Sequence, residues 1–135
     1  MLKKLFRQFF KNIPNWYTER ISEGTRTKYE NRNQKKPGFS EKVKKQDISI
    51  IDDFQTNDVQ FVFSREKPNE SKNEDLSMAV FGIKADVMFH RIMALKNFRN
   101  SLAHGNGPLD DSQEQLMYQD CNWIKDSIDN YLKNI

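Results

Sequence analysis

Apolar residues recur at helical spacing in the first stretch of the chain, MLKKLFRQFFKNIPNW. Its large side chains come three or four residues apart with basic residues between them, and Pro14 follows the last one. This pattern predicts an amphipathic basic helix that Pro14 ends. The positions on its apolar face are Leu2, Leu5, Phe6, Phe9, Phe10 and Ile13.

The apolar face of this first helix has two alternative destinations. It can dock on the rest of the protein or on a partner, or it can lie on a membrane surface. A membrane-surface helix is commonly rich in Lys and Arg, whereas this one carries four basic residues. We therefore favour docking and do not expect a membrane partner. The basic positions are Lys3, Lys4, Arg7 and Lys11.

A longer apolar pattern runs from about residue 73 to residue 104. Ser71 and Glu74 stand at the spacing of a capping box just ahead of it, and Gly82 lies within it. We predict one long helix, bent at Gly82. The apolar positions are Leu76, Val80, Ile83, Val87, Ile92, Leu95, Phe98 and Leu102.

A last helix follows a short glycine-rich turn. Gly105, Gly107 and Pro108 predict the end of the long helix, and the segment 110–112 predicts a new N-terminal cap. Because the connection is short, the two helices should pack antiparallel. The predicted buried stripe of the last helix is Leu116, Trp123, Ile124, Ile128, Tyr131 and Leu132.

Two segments have weaker patterns. Residues 22–40 contain little large apolar material and are punctuated by glycine and proline, which predicts a linker. Residues 48–64 fit either a short β-hairpin or a helix followed by an extended segment. The predicted fold is therefore mainly α, a small helical bundle with a long antiparallel helix pair. Residues 1–40 form a basic helix and polar linker, and residues 41–135 a helical domain.

The charge is unevenly distributed along the chain. The net charge is +3, but residues 1–46 hold 13 Lys and Arg against 4 Asp and Glu, and the remainder holds 9 against 15. A basic arm on an acidic body favours a polyanionic partner such as RNA. The alternative is a solvated tail that serves solubility.

The residue types that build metal and disulfide sites are scarce. The single Cys121 excludes an internal disulfide, and two histidines, His90 and His104, make a zinc site implausible. We predict a structural, partly buried His90 and a packed Cys121, and Asp110 and Asp111 as helix caps. No metal or cofactor is expected. The chain lacks the pattern of a secretory signal or membrane span, so we expect a cytoplasmic protein.

The sequence RNSLAH, residues 99–104, ends the long apolar pattern with a polar cluster. Asn100 and His104 are four residues apart and therefore neighbours on one helix face. Arg99 and His104 are five apart, about 140° out of register on an ideal helix. They converge only if the arginine wraps around or His104 turns at the helix end. The alternative is a polar C-terminal cap that satisfies carbonyl groups.

These residues resemble the signature of HEPN domains, in which an arginine and a polar residue precede a histidine. HEPN domains are small and all-helical, and many are RNases of bacterial toxin and antiphage defence systems. The resemblance implies that Arg99 holds the scissile phosphate, His104 exchanges the proton and Asn100 orients the site. It also implies a homodimer with a composite active site, and a possible antitoxin or other regulatory protein. One toxin branch has a tyrosine two residues after the histidine, where this chain has Asn106.

The chemistry of RNA cleavage suits these residue types. An imidazole exchanges protons near neutral pH, and a guanidinium gives fixed, bidentate positive charge. The RNA 2′-hydroxyl serves as nucleophile, so DNA should resist. We predict a metal-independent endoribonuclease; the alternative is a non-catalytic module that binds nucleic acid or protein. The predicted RNA contacts are Lys96, Lys3, Lys4, Arg7 and Lys11.

Overall fold

The chain folds mainly as α-helices, which confirms the predicted fold class. The computed structural model describes residues 1–67, 70–103 and 110–135, and side chains in these ranges except at 66, 67, 70 and 101–103. The elements are α1 (Leu2–Phe10), α2 (Trp16–Arg20), α3 (Glu23–Asn33), α4 (Phe39–Lys45), a 3₁₀ helix (Ile48–Asp53), α5 (Thr56–Phe61), β1 (Arg65–Lys67), β2 (Glu70–Ser71), α6 (Glu74–Phe81), α7 (Ala85–Ala103) and α8 (Asp111–Lys133).

Helix α1 buries its apolar face in the core of the protein. Its side chains Leu5, Phe6 and Phe10 are each 0% exposed. The Phe6 ring packs on Phe63 with centroids 5.7 Å apart, and the Phe10 ring stacks on Trp16 at the same distance. The apolar face is therefore docked on the chain's own core. Among the described helices, none is long and apolar enough to cross a membrane.

The prediction of a linker over residues 22–40 is wrong, because most of that segment is helical. Helix α3 begins behind Ser22, whose hydroxyl accepts from the Thr25 N–H at 3.3 Å. Its buried Tyr29 packs against Tyr17 and Phe54, with ring centroids 6.2 and 5.8 Å apart. One large aromatic side chain anchors the helix while its other faces stay polar, so the apolar content of the segment gave no sign of it.

Because Tyr17 and Tyr29 are buried, we expect the protein to lose stability at high pH. Burial and the carboxylate of Asp53 raise the pKa of Tyr29 to about 12, and burial beside Glu30 raises the pKa of Tyr17. Tyrosine in the unfolded chain loses its proton near pH 10. Between about pH 10 and 12 the folded state therefore holds more protons, and the free energy of unfolding should fall by up to about 1.4 kcal/mol per pH unit per tyrosine.

Urea titrations at pH 7 and at several values above pH 10 measure this dependence. Tyr29→Phe should flatten the fall above pH 10, although it removes the hydrogen bond from the Tyr29 hydroxyl to Asp53. Tyr118→Phe is the matched control, because Tyr118 is exposed on α8. An unchanged alkaline slope in Tyr29→Phe would contradict the prediction.

The segment 48–64 contains the 3₁₀ helix and α5 rather than a hairpin, so the hairpin alternative is wrong for these residues. Asp47 starts the 3₁₀ helix by accepting from the Ser49 N–H at 2.9 Å. The Gln55 N–H donates to the Asp58 carboxylate at 2.8 Å at the start of α5. These caps stabilise helical starts in a segment whose alternating apolar pattern would favour strands. The described strands pair antiparallel just beyond, with Arg65 opposite Ser71.

Gly82 divides the predicted long helix into α6 and α7. Its φ of 67° is left-handed and ends α6, so the prediction of one bent helix is wrong. The predicted Ser71–Glu74 capping box is also wrong, because Asn73 occupies the cap position. The buried Asn73 amide instead donates to the carbonyls of Arg20 and Val62.

Gly82→Ala should lower the free energy of unfolding by about 1–2 kcal/mol, because an L-residue is strained at this left-handed φ. A β-carbon built at Gly82 meets no atom within 4 Å, so the cost comes from the backbone alone. Gly24→Ala in α3 is the matched control, since the site is equally open and has no positive φ. That change should stabilise by about 0.4–1 kcal/mol. Equal signs in urea denaturation would contradict the backbone argument.

Helix α8 is capped as predicted, but its first half stands away from the described core. Asp110 accepts from the Gln113 N–H at 2.8 Å. Ile124 and Ile128 are buried, whereas Leu116 is 58% exposed, so its predicted place in the buried stripe is wrong. The helical spacing correctly identifies the apolar positions of α8. Near Leu116, however, no described element packs against the helix. The remaining predicted positions, Trp123, Tyr131 and Leu132, are partly buried against the core.

Helices α6 and α7 both pack on α8, so both parts of the predicted long helix contact the last helix. Phe81 at the end of α6 meets Trp123 with ring centroids 5.5 Å apart. The Arg91 guanidinium lies 4.6 Å from the centre of the same indole ring. Trp123 of α8 therefore contacts both α6 and α7 and connects the last three helices.

Candidate functional site

An open groove of about 860 Å³ lies where the start of α1, the start of α5, α7 and α8 meet. Its walls are mostly apolar. The apolar residues that line it are Met1, Leu2, Phe54, Val59, Ile92, Leu95 and Ile124. The groove is large enough for a small organic ligand, since such sites commonly measure about 300–1,000 Å³.

Three basic side chains line this groove: Lys3 of α1 with Lys96 and Arg99 of α7. The Lys3 ammonium donates to the carbonyl of Asp52 at 3.1 Å, and the Lys96 ammonium donates to Asn57 Oδ1. Arg99 is exposed, and within the described ranges its guanidinium has no hydrogen bond or ion pair. The arginine is thus free to bind an anion.

The helical repeat explains why these side chains share the groove. Ile92, Leu95, Lys96 and Arg99 stand at positions i, i+3, i+4 and i+7 of α7, which is one face of a helix. Ile92 is buried and Leu95 is half-buried, so this face turns toward the body. Exposure increases along this face of α7, from the buried Ile92 to the exposed Arg99. The face is therefore apolar at its inner end and cationic at its outer end.

The rest of the predicted catalytic cluster is only partly described. Asn100 lies on α7 and is half-buried, but it does not line the groove. His104 lies outside the described residues, as do the predicted helix stop at Gly105 to Pro108 and Asn106. The approach of His104 to Arg99 therefore stays a prediction from the sequence.

The other predicted RNA contacts are distributed over α1. Lys4 is exposed, and Arg7 forms an ion pair with Asp52 of the 3₁₀ helix. Lys11 lines a separate cleft, together with Lys44 and Lys45 of α4. Of the four basic residues in and directly after α1, Lys3 alone lines the groove that holds Arg99.

The groove also contains residues that the sequence analysis missed. Gln55, Thr56 and Asn57 form its polar edge at the start of α5, a segment that the sequence left between strand and helix. Cys121 lines the groove and is exposed, so the prediction of a packed cysteine is wrong. Cys121 stands three residues before the buried Ile124 on α8, and this helical spacing indicates that the two are neighbours on one helix face.

The remaining candidate residues have simple structural roles. His90 is exposed and its ring lies edge-on to Phe89, so the prediction of a partly buried histidine is wrong. Hydrogen bonds from the Ser112 hydroxyl and the Gln113 N–H hold the pKa of Asp110 below its usual range. Asp110 is therefore occupied as a helix cap. Among the described residues, no group of three or more His, Cys, Asp or Glu could hold a metal ion.

The groove combines an apolar interior with a cationic rim. Such a surface can hold an anion at the rim while a neighbouring apolar or aromatic group enters the interior. The resemblance to HEPN domains rests on the sequence RNSLAH, of which residues 99–103 form the end of α7. No family model matches the chain, and no significant match was found among curated proteins or solved structures.

Proposed function

We propose that the protein is a metal-independent endoribonuclease that cleaves RNA through the RNA's own 2′-hydroxyl. The observation that supports this most directly is the clustering of Arg99, Lys96 and Lys3 along one groove. All three were assigned to phosphate or RNA contact from the sequence, although Lys3 is more than ninety residues away from the other two. A polyanion is the ligand that such a rim attracts.

In the proposed reaction the 2′-oxygen attacks the adjacent phosphorus, and the bond from phosphorus to the 5′-oxygen breaks. The products are a 2′,3′-cyclic phosphate and a free 5′-hydroxyl. Arg99 binds the non-bridging oxygens, where its guanidinium stabilises the charge that grows in the phosphorane. His104 exchanges a proton with the 2′-hydroxyl or with the leaving oxygen. Asn100 orients the cluster.

The biological setting follows from the same resemblance. The proposal includes a toxin or antiphage role in the cytoplasm, a homodimer in which both chains contribute to each active site, and control by an antitoxin or other regulatory protein. The apolar residues Leu116 and Tyr118 on the outstanding half of α8 are exposed in the single chain. Large apolar side chains that are exposed on a protruding helix are compatible with assembly.

The proposed function is tested by incubating the purified protein with RNA in excess chelator. Wild type should cleave RNA and leave a 2′,3′-cyclic phosphate, whereas DNA of the same sequence should stay intact. His104→Ala should lower the rate by about 10²- to 10⁴-fold, the range that general acid–base catalysis contributes. His90→Ala is the matched control, because it removes the other histidine of the chain from an exposed position.

Equal cleavage by wild type and His104→Ala would contradict the catalytic assignment. If neither protein cleaves and both retain salt-dependent RNA affinity, the alternative of a non-catalytic binding module replaces it. In that case the groove's cations would account for binding alone, and the slope of affinity against salt would report how many phosphates they contact.

A further inference from the structure

The apolar interior of the groove calls for an explanation beyond phosphate binding. Ile92, Leu95 and Leu2 line it, and a phosphate gains nothing from contact with aliphatic carbon. Yet these side chains lie about one helix turn or less from Lys96 and Lys3 and line the same groove as those cations. The ligand should therefore present an anion and an apolar surface close together.

A nucleotide has this combination, because a planar base is attached a short distance from its phosphate. We infer that the groove beside Arg99 is a pocket for one unpaired nucleobase that flanks the phosphate bound by Arg99. This inference rests on the proposed function, since it takes RNA as the ligand. Bases that are unstacked from a single strand commonly enter such apolar sites, where their faces are buried and their edges read.

The polar edge of the groove supplies the means to read a base. The Lys96 ammonium can only donate hydrogen bonds, so its bond to Asn57 Oδ1 fixes which end of that amide is oxygen. Asn57 Nδ2 then remains as a donor, and within the described residues it has no acceptor. The Thr56 hydroxyl lines the same edge. The pocket should therefore prefer a base that offers a hydrogen-bond acceptor to Asn57.

The charge of the rim decides between RNA and other amphiphilic ligands. An acyl chain with one carboxylate would need a single cation, whereas three cations from two helices line this groove. Arg99, Lys96 and Lys3 instead suit successive phosphates on either side of one base. The groove volume of about 860 Å³ also leaves room for the sugar and the base together.

The inference is tested by binding rather than by cleavage. The probe is a set of 2′-O-methyl RNA pentanucleotides, which lack the nucleophile, with an abasic site placed at each position in turn. Full-length wild type should lose affinity about 5- to 150-fold when one position is abasic, the range expected for burying one base. It should lose much less affinity at the other positions.

Two variants assign the effect to the groove. Leu95→Trp fills it, and should weaken the intact oligonucleotide by the same factor while leaving the abasic one unchanged. Val87→Trp is the matched control, because Val87 lies on an exposed part of the same helix. Asn57→Ala should change the preference among the four bases without abolishing binding. Because Asn57 is exposed, that variant tests the pocket even if Leu95→Trp fails to fold.

Several results would overturn the inference. These are equal affinity for intact and abasic oligonucleotides, equal weakening of both by Leu95→Trp, and displacement of the RNA by micromolar decanoate, which would assign the groove to an acyl ligand. The outcome is separable from that of the proposed function. If the protein binds one base selectively but never cleaves, the base pocket is supported and the proposed enzymatic function is contradicted. If the protein cleaves abasic and intact sites equally well, the enzymatic function is supported and the base pocket is contradicted.

Discussion

Deletion of residues 1–13 should unfold the protein rather than trim a basic arm from it. Leu5, Phe6 and Phe10 of α1 are all fully buried, and Phe6 and Phe10 connect Phe63 to Trp16. Removing one buried phenylalanine side chain costs about 3–5 kcal/mol. A domain has a free energy of unfolding of only about 5–15 kcal/mol. The loss of all three side chains should therefore cost more than the total stability of the fold. Circular dichroism and urea denaturation measure the result.

Point substitutions make the same prediction sharper. Phe6→Ala should lower the free energy of unfolding by about 3–5 kcal/mol. Lys4→Ala on the exposed face of the same helix should change it by less than about 0.5 kcal/mol. Both residues lie in one basic helix, so their difference separates packing from charge. If the deleted protein retained a cooperative unfolding transition, α1 would be a separable appendage, as the division of the chain at residue 40 supposes.

The sequence pattern identified the helices where apolar spacing is regular, and it failed where one residue or one cap decides the backbone. The amphipathic pattern of α1 and the cap at Asp110 were predicted and are present. The division at Gly82 was not, because a single left-handed residue interrupts a pattern that stays helical on both sides. In α3, Tyr29 alone contributes a large apolar anchor, which a count of apolar residues undervalues.

The candidate site divides in the same way. Lys96 and Arg99 were assigned to RNA or phosphate contact from the sequence, and the structure brings both to the groove. The meeting of Lys3 and Asn57 with them depends on the tertiary arrangement of α1, α5 and α7, which no local pattern encodes. Burial was also harder to predict than periodicity, as Leu116 and Cys121 on α8 show. Where a helix extends beyond the elements that pack against it, its apolar side chains are exposed.

Arg99→Ala should lower the rate of RNA cleavage by about 10²- to 10³-fold, which is the usual loss when one group that stabilises a charged transition state is removed. The loss should appear mainly in kcat, because the phosphorane gathers more charge than the ground-state phosphate. Arg99→Lys should recover only part of the rate, since an ammonium keeps the charge but loses the planar, bidentate contact. Single-turnover cleavage assays with saturating protein measure all three rates.

The position of Arg99 makes a structural explanation of such a loss easy to exclude. The side chain is exposed and has no partner within the described ranges, so its removal should change the free energy of unfolding by less than about 0.5 kcal/mol. Lys11→Ala is the matched control, because Lys11 is an exposed cation that lines a different cleft. It should weaken RNA binding modestly and reduce the slope of log affinity against log salt by about one, with kcat unchanged. A normal kcat in folded Arg99→Ala would remove the arginine from the reaction and leave its groove as a binding surface only.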